Sequence, residues 1–491
     1  MSYAPSFIEK LRLATCPQVV ATPKARDYIL YRTNCSRRPS APQFASTQFA
    51  IGSDSRSAKM ERILNGMGIE CKAVGSSVGP VISRIYVALP VNGSIKQVEG
   101  VARDLAMKLG VASVNVVSDI AHRFDNPYDT LEKDITGCVA IELPNEDRKV
   151  VPFGNIFNFP VQGMAIPTVI GVDPVGNPVR IDLAKTPHML VAGQTGSGKS
   201  VCINSIITSV FLSMDIDMVR FLLIDPKQVE LKPYEALPNI INGRAITDPQ
   251  EAVLSIGWLV SLMEYRYAVL AKAGFRNIRD FNAAISDREK IFTIPEGHRR
   301  KMPYIVAVVD EFADLMMTAP GELTAFVMRI AQKARAVGIH LVLATQRPST
   351  KVITGDLKCN IPTRIAFKVA TATDSVTILG YGGAEKLLGY GDMLLGSDGT
   401  ARRLHGCLLS DAELEAVLAL AADAERFDYE DKANFGSVDF TEGFRPFRPA
   451  IPEWVHDAPA LADLGPVDEI LADTRSEEQI MADARAAGII G

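Results

Sequence analysis

The stretch from residue 188 to 213 constrains this chain more than any other. HMLVAG (188–193) is a short apolar strand ending in Gly193-Gln194-Thr195-Gly196-Ser197-Gly198-Lys199-Ser200. GxxxxGK[ST] placed after a strand and opening a helix is the pattern of a phosphate-binding loop. Its glycines permit a tight turn whose backbone N–H groups point inward around phosphate oxygens. The helix expected over roughly 198–213, with Val201 in its first turn, adds the positive end of its dipole. Lys199 is the residue expected to reach the β- and γ-phosphates, and the Ser200 hydroxyl to ligate Mg²⁺. The implied ligand is ATP with Mg²⁺, held by residues 193–201.

The surroundings fit that loop. MVRFLLID (218–225), YIVAVVDE (304–311), IHLVLATQ (339–346) and RIAFKVA (364–370) are continuous apolar runs. Helical patterns separate them, notably at 249–273 and 321–337. Continuously apolar strands between helices predict an α/β fold with a mainly parallel sheet covered on both faces. DAELEAVLALAADAERF (411–427) reads as the last helix of that core. Upstream, residues 69–150 read as a smaller α/β unit. PVISRIYVALP (80–90) alternates like a strand, the next helical pattern spans 94–110, and GCVAIELP (137–144) is again strand-like.

Three strand ends carry candidate chemistry. Val306 to Val309 lead directly into Asp310-Glu311. In a P-loop ATPase, Asp310 would hold the Mg²⁺ shell and Glu311 would polarise the attacking water. LVLATQ ends at Gln346, an amide placed to sense the γ-phosphate or orient water. Hydrolysis of this kind also needs positive charge near the leaving phosphates, which a neighbouring subunit can supply as an arginine in trans. Arg335 is the first candidate, with Arg347 and Arg364 behind it.

Composition narrows the class. Hydrophobic residues make up 47% of 491 and charged residues 22%, the balance of a globular chain. No run of 18 apolar residues is present and the first twenty residues do not read as a signal peptide, so a cytoplasmic chain without membrane insertion is expected. Seven scattered cysteines, with no CxxC pair, argue against a disulfide framework or zinc site. Net charge is −5, unevenly spread: residues 1–50 carry seven Lys/Arg against two Asp/Glu, and residues 427–491 carry five against fourteen. Bulk charge does not predict a nucleic-acid binder, although a ring can line a basic pore inside a neutral subunit.

Several long segments resemble the FtsK/SpoIIIE family of DNA translocases. They include LLIDPKQVELKPYEALPNI (222–240), MEYRYAVLAKAGFRNIRDFN (263–282), YIVAVVDEFADLMM (304–317) and residues 331–369. DSVTILGYGGAEKLLGYGDMLL (374–395) and LHGCLLS (404–410) extend the likeness, and GPVISRIYVALP, VEGVARDLAMKLGV and AIELPNEDR resemble that family's small domain. The resemblance spans roughly residues 70–425. It implies a RecA-like motor and a homo-oligomer, a hexameric ring that drives double-stranded DNA through a central pore. ATP sites would lie between subunits. Arg276, Arg279, Lys351 and Lys358, on two polar loops, are the candidate pore-facing charges.

The expected division is a basic arm and helix at 1–68, the small domain at 69–150, the motor at 151–427 and an acidic, Pro-rich tail at 428–491. Two departures stand out. Within this sequence no membrane helix is expected before the motor, and the tail is not expected to form the basic recognition helix that a DNA-reading winged helix needs. An unidentified loading or membrane partner would fit such a chain. In ILGYGG, Gly380-Tyr381 stand where the family pattern leads one to expect Asp-Gln. Two other functions fit the same motifs: a coupling ATPase that pumps single-stranded DNA or a DNA–protein complex, and a nucleotide-binding assembly module without motor activity.

Overall fold

The computed structural model describes residues 50–51, 55–117, 138–157, 163–287, 290–294, 299, 301–397 and 400–423. The basic arm before residue 50 and the acidic tail lie outside the described residues.

The first unit opens with β1 (Ala50–Ile51) and helix α1 (Ser55–Gly66). Then come β2 (Lys72–Val78), β3 (Ile82–Ala88), α2 (Ile95–Gly100), α3 (Ala102–Leu109), β4 (Asn115–Val117) and β5 (Val139–Pro144). The strands form an antiparallel sheet ordered β1-β2-β3-β5-β4. Its core joins Met60 and Leu64 of α1 to Ile85, Val87, Val98, Leu105 and Ile141. Thus α1, which the sequence division grouped with the arm, is packed into this sheet. The helical pattern over 94–110 is two helices, because Val101 (φ −98°, ψ 4°) leaves helical geometry between α2 and α3.

The second unit runs from α4 (Phe153–Phe157) through β6 (Pro167–Val172), β7 (Pro178–Asp182), β8 (His188–Ala192), α5 (Lys199–Ser213) and β9 (Val219–Ile224). It continues with α6 (Pro249–Lys272), α7 (Ile278–Ser286), β10 (Tyr304–Val309), α8 (Phe312–Thr318), α9 (Pro320–Lys333) and β11 (Ile339–Thr345). It ends with α10 (Gly355–Asn360), β12 (Thr363–Phe367), α11 (Ala372–Leu379), β13 (Asp392–Ser397), β14 (Thr400–Gly406) and α12 (Asp411–Asp423). The sheet order is β7-β6-β14-β13-β12-β8-β11-β10-β9. Strands β12, β8, β11, β10 and β9 are parallel, as their apolar runs predict, while β13, β14, β6 and β7 add an antiparallel wing.

The parallel strands are apolar throughout because each serves two cores. On β10, Val306 and Val308 face one layer with α5 and α12, while Ile305, Ala307 and Val309 face the other with α6 to α11. Met189 and Val191 alternate with Leu190 and Ala192 on β8 in the same way. By length and hydropathy alone, α6 is long enough and apolar enough to cross a membrane. Yet 67% of its most apolar window is buried, and Trp258, Leu259, Leu262 and Met263 lie in the second core. It is a core helix of this unit.

The two units meet through buried ions. Glu142 of β5 accepts from Arg84 Nη2 at 2.7 Å, from Asn115 Nδ2 at 2.9 Å and from Arg403 Nη1 of β14 at 3.0 Å. Arg403 also donates to both oxygens of Asp392, at 2.9 and 2.7 Å. The side chains of Glu142 and Asp392 are fully buried. Charges of this kind are tolerated inside a protein only when paired and hydrogen-bonded.

Candidate functional site

Parallel strands deliver the site. The residues that follow β8, β9, β10 and β11 all emerge at the same, C-terminal edge of the sheet: the loop 193–198, Asp225, Asp310-Glu311 and Gln346. Crevices at this edge are where α/β sheets bind ligands.

The loop is shaped as a cradle. Gly198, at φ +115°, lies against the loop before β13: a Cβ there would stand 2.7 Å from the Gly391 nitrogen. A Cβ on Gly193 would stand 2.5 Å from Phe367 Cβ. Gly391 N–H donates to the Ser197 carbonyl at 2.8 Å, fixing the far wall of the cradle. At the start of α5 the first N–H groups have no intrahelical acceptor and face the cradle with the helix dipole.

Lys199 is 3% exposed and reaches Asp310, donating to its carbonyl at 2.9 Å and to Oδ1 at 2.6 Å. An ammonium has three donors, so one remains for a phosphate. Burial pushes the Asp310 carboxyl above the ordinary carboxylate range, and Lys199 opposes that shift. Asp310 Oδ2 is buried without a partner among the described residues. An orphaned carboxylate oxygen, a serine hydroxyl and a phosphate cradle make a hard-oxygen donor set of the kind Mg²⁺ takes. The residues present therefore fit a magnesium nucleotide.

Glu311 is fully buried. Its Oε1 accepts from Thr345 Oγ1 at 2.6 Å and Oε2 from Lys227 Nζ at 2.9 Å, while the Gln346 N–H lies 3.1 and 3.2 Å from the two oxygens. Gln346 turns its side chain to the loop, where Thr195 Oγ1 donates to its Oε1 at 2.9 Å. Ser200 Oγ donates to Glu230 Oε1 at 2.7 Å. A cavity of about 680 Å³ opens over the loop, with Gln194, Thr195, Lys199, Ser200 and Val201 on one side. Residues 148–151, 388–391 and 405–408 form the other side. His405 in that wall is driven down to about 4 by burial, so it is neutral at physiological pH.

The site thus gathers Gly193 to Val201, Asp310, Glu311 and Gln346. Arg335 is not among them. It is exposed on the turn before β11, at the opposite edge of the sheet and about 20 Å along the strand from Gln346. Arg276 and Arg279, both exposed, share that opposite edge, since Ile278 N–H donates to the Ala336 carbonyl at 2.8 Å. Lys351 is exposed on the loop leaving β11, and Lys358 is half-buried in α10. The four candidate pore charges therefore divide between two regions of the unit. Arg347 lies 4.0 Å from Asp314, and Arg364 sits within β12. Gly380, at φ +92°, caps α11, which is a local reason for glycine there.

Lys227, Glu230, Thr345 and the wall at Gly389–Gly391 are the site residues that sequence reasoning missed. Lys227 and Glu230 lie inside the quoted segment 222–240, where a lysine and an acid just past a strand end were the available signal.

Together these define a P-loop ATPase fold with its nucleotide apparatus at one sheet edge. The FtsK/SpoIIIE family pattern matches residues 158–350 and the FtsK alpha domain pattern residues 41–125. The chain belongs to the FtsK/SpoIIIE family. It is 42% identical over 397 residues to a protein named DNA translocase FtsK 2 from Neisseria meningitidis, covering 78% of this chain and 38% of that relative. It is 42% identical over 383 residues to DNA translocase FtsK of Pseudomonas aeruginosa, covering 74% of this chain and 46% of that relative. The chain thus spans less than half the length of these relatives. The solved structure of the pCW3 conjugation coupling protein TcpA, monomer form with ATPγS, shares the fold at a TM-score of 0.50 and 22% identity, over 75% of this chain and 99% of that one.

Proposed function

We propose that this chain hydrolyses ATP at residues 193–201, 310–311 and 346 and uses the energy to move double-stranded DNA through a hexameric ring. The observation that carries the reading is the convergence at one sheet edge of a buried lysine, two buried carboxylates and an amide held on the phosphate loop. The curated relatives named DNA translocase supply the cargo class.

The roles follow from the contacts. The loop N–H groups and Lys199 bind phosphate oxygens, with Lys199 shared between Asp310 and the nucleotide. Ser200 and Asp310 would hold Mg²⁺, which supplies charge neutralisation at the β- and γ-oxygens. Glu311 accepts the proton of the attacking water, and Gln346, tied to Thr195, registers the terminal phosphate. The division of labour is a small domain from residue 50 to about 150, which forms one tier of the ring, and the motor as the other. Arg335 lies at the opposite edge from its own chain's site, so it would act on the site of a neighbouring copy. The exposed Arg276, Arg279 and Lys351 and the half-buried Lys358 would contact DNA phosphates without reading bases.

Steady-state ATP hydrolysis at fixed low salt, titrated with linear duplex and separately with single strands, tests this reading. A strong rise with duplex that is absent in Lys199→Ala supports it. Preference for single strands would favour a coupling-type pump, and hydrolysis in neither would favour an assembly module.

A further inference from the structure

The segment from Asp225 to Leu231 places two side chains in the site, and neither belongs to the phosphate loop or the Asp-Glu pair. Its shape is set by one buried carboxylate. Asp225 Oδ1 accepts from the N–H groups of Lys227 at 3.1 Å and Gln228 at 3.0 Å. Its Oδ2 accepts from Val229 at 2.9 Å and from Glu230 and Leu231 at 3.0 Å. Gln228 is held at φ +58°, a conformation that a side chain of its kind rarely adopts, so the segment is stiff rather than slack. Five backbone bonds to one carboxylate make Lys227 and Glu230 parts of one piece.

Each of the two reaches a different half of the chemistry. Glu230 accepts a hydrogen bond from the Ser200 hydroxyl, leaving that oxygen's lone pairs turned away from it. Lys227 spans to Glu311, whose two oxygens offer about four acceptor positions. The Thr345 hydroxyl and the Lys227 ammonium each take one and the Gln346 N–H is shared between the two oxygens, so Lys227 holds a position on Oε2 that a water would otherwise take. Thr345 and Gln346 are fixed at the end of β11. Lys227, 38% exposed on its flexible stem, is the donor that can leave.

We propose that the 225–231 segment is a coupling element in which Glu230 orients Ser200 toward the cation and Lys227 withholds Glu311 from water until the nucleotide site is filled. Both are positioning residues. The proposal rests on the reading that this site hydrolyses ATP with Glu311 as the base.

Two measurements test it. The first is hydrolysis without DNA by Lys227→Met and Lys227→Gln, with Lys227→Arg as the conservative variant. Loss of a half-exposed ion pair worth about 1 kcal/mol should raise the DNA-free kcat about fivefold, leave KM unchanged and shrink the stimulation by duplex. Lys227→Arg should stay near wild type. A fall in DNA-free kcat in both Lys227→Met and Lys227→Gln would overturn the proposal, because Lys227 would then aim Glu311 rather than restrain it. The second is binding of fluorescent ADP during a Mg²⁺ titration, which needs no turnover. Glu230→Gln should demand about tenfold more Mg²⁺ for the same gain in affinity. An unchanged titration would overturn the role of Glu230. A wild type that binds Mg²⁺–ADP but hydrolyses nothing would overturn the parent reading instead, and the Lys227 role with it.

Discussion

Arg403 joins the two units, and replacing it with Met should reveal what holds them. The side chain is 7% exposed and makes three charge-assisted bonds, two to Asp392 and one to Glu142. In Arg403→Met, Glu142 keeps Arg84 and Asn115, whereas Asp392 keeps the Leu388 N–H at 2.8 Å. Met keeps an apolar stem and removes the guanidinium with its charge and its donors, so the main cost is a buried carboxylate left without its cation. Breaking a buried pair in this way costs about 3–5 kcal/mol. Urea unfolding followed by far-UV circular dichroism should show a loss of that size. The double variant Arg403→Met/Asp392→Asn should recover part of it, since the stranded charge is gone. A second signature follows from position: Asp392 adjoins Gly391, whose N–H braces the Ser197 carbonyl, so ADP affinity should fall together with stability. Acid sensitivity should change too. Burial alone would raise the Glu142 carboxyl, but Arg84 and Arg403 outweigh it and hold it below its ordinary value. A depressed carboxyl contributes stability above its unfolded value, near 4.3, and loses it as pH falls through the lower folded value. Without Arg403 the folded value rises toward the unfolded one, so this acid-dependent loss should be smaller and should be complete at higher pH. A stability change below about 1 kcal/mol, or a double variant no better than the single one, would refute the assignment of stranded charge.

Other substitutions separate the parts of the site. Glu311→Gln should retain ATP while hydrolysis falls by at least about a hundredfold, measured as bound radiolabelled nucleotide against released phosphate. Gly198→Ala adds a methyl 2.7 Å from the Gly391 nitrogen at φ +115°, and should weaken ADP binding at least tenfold, about 1.4 kcal/mol, by isothermal calorimetry. Arg335→Ala should bind nucleotide normally yet lose hydrolysis. Mixing it with Lys199→Ala subunits should restore part of the rate, and intact rings without rescue would place the needed arginine elsewhere.

How much of this was legible in the sequence depended on how local the cause was. The phosphate loop, the Asp310-Glu311 step and the five parallel strands could be read because each is written in consecutive residues. Val306 to Val309 are apolar because both faces of β10 are covered, and that shows without knowing what covers them. The helical pattern over 94–110 stops at Gly110, which caps α3 in left-handed geometry. The break at Val101 was missed because apolar spacing runs straight across it. The antiparallel wing was missed as well. DMLLGS and TARRLHG are short and mix polar with apolar residues without a clean alternation, and their pairing depends on β12 and β6 at long separation.

Lys227 and Glu230 show the same limit from the other side. Both stood in a segment whose family likeness was plain, but a resemblance names a segment without saying which atom each side chain meets. The Lys227–Glu311 contact joins residues 84 apart in the chain. Ser200 and Glu230 are 30 apart. These contacts exist only because β9 lies beside β10 in parallel register, with Ile224 opposite Val309, so that the residues after both strands emerge together. Asp225 then turns the chain back on itself within six residues, bringing a lysine and a glutamate to the two carboxyl-handling ends of the site. The register of one strand pair and the cap made by one aspartate therefore decide whether Glu311 and Ser200 are linked through one segment. Asp225→Ala tests that dependence: it should uncouple the Lys227 and Glu230 effects, so that the double variant Lys227→Met/Glu230→Gln is additive in its background and non-additive in the parent chain.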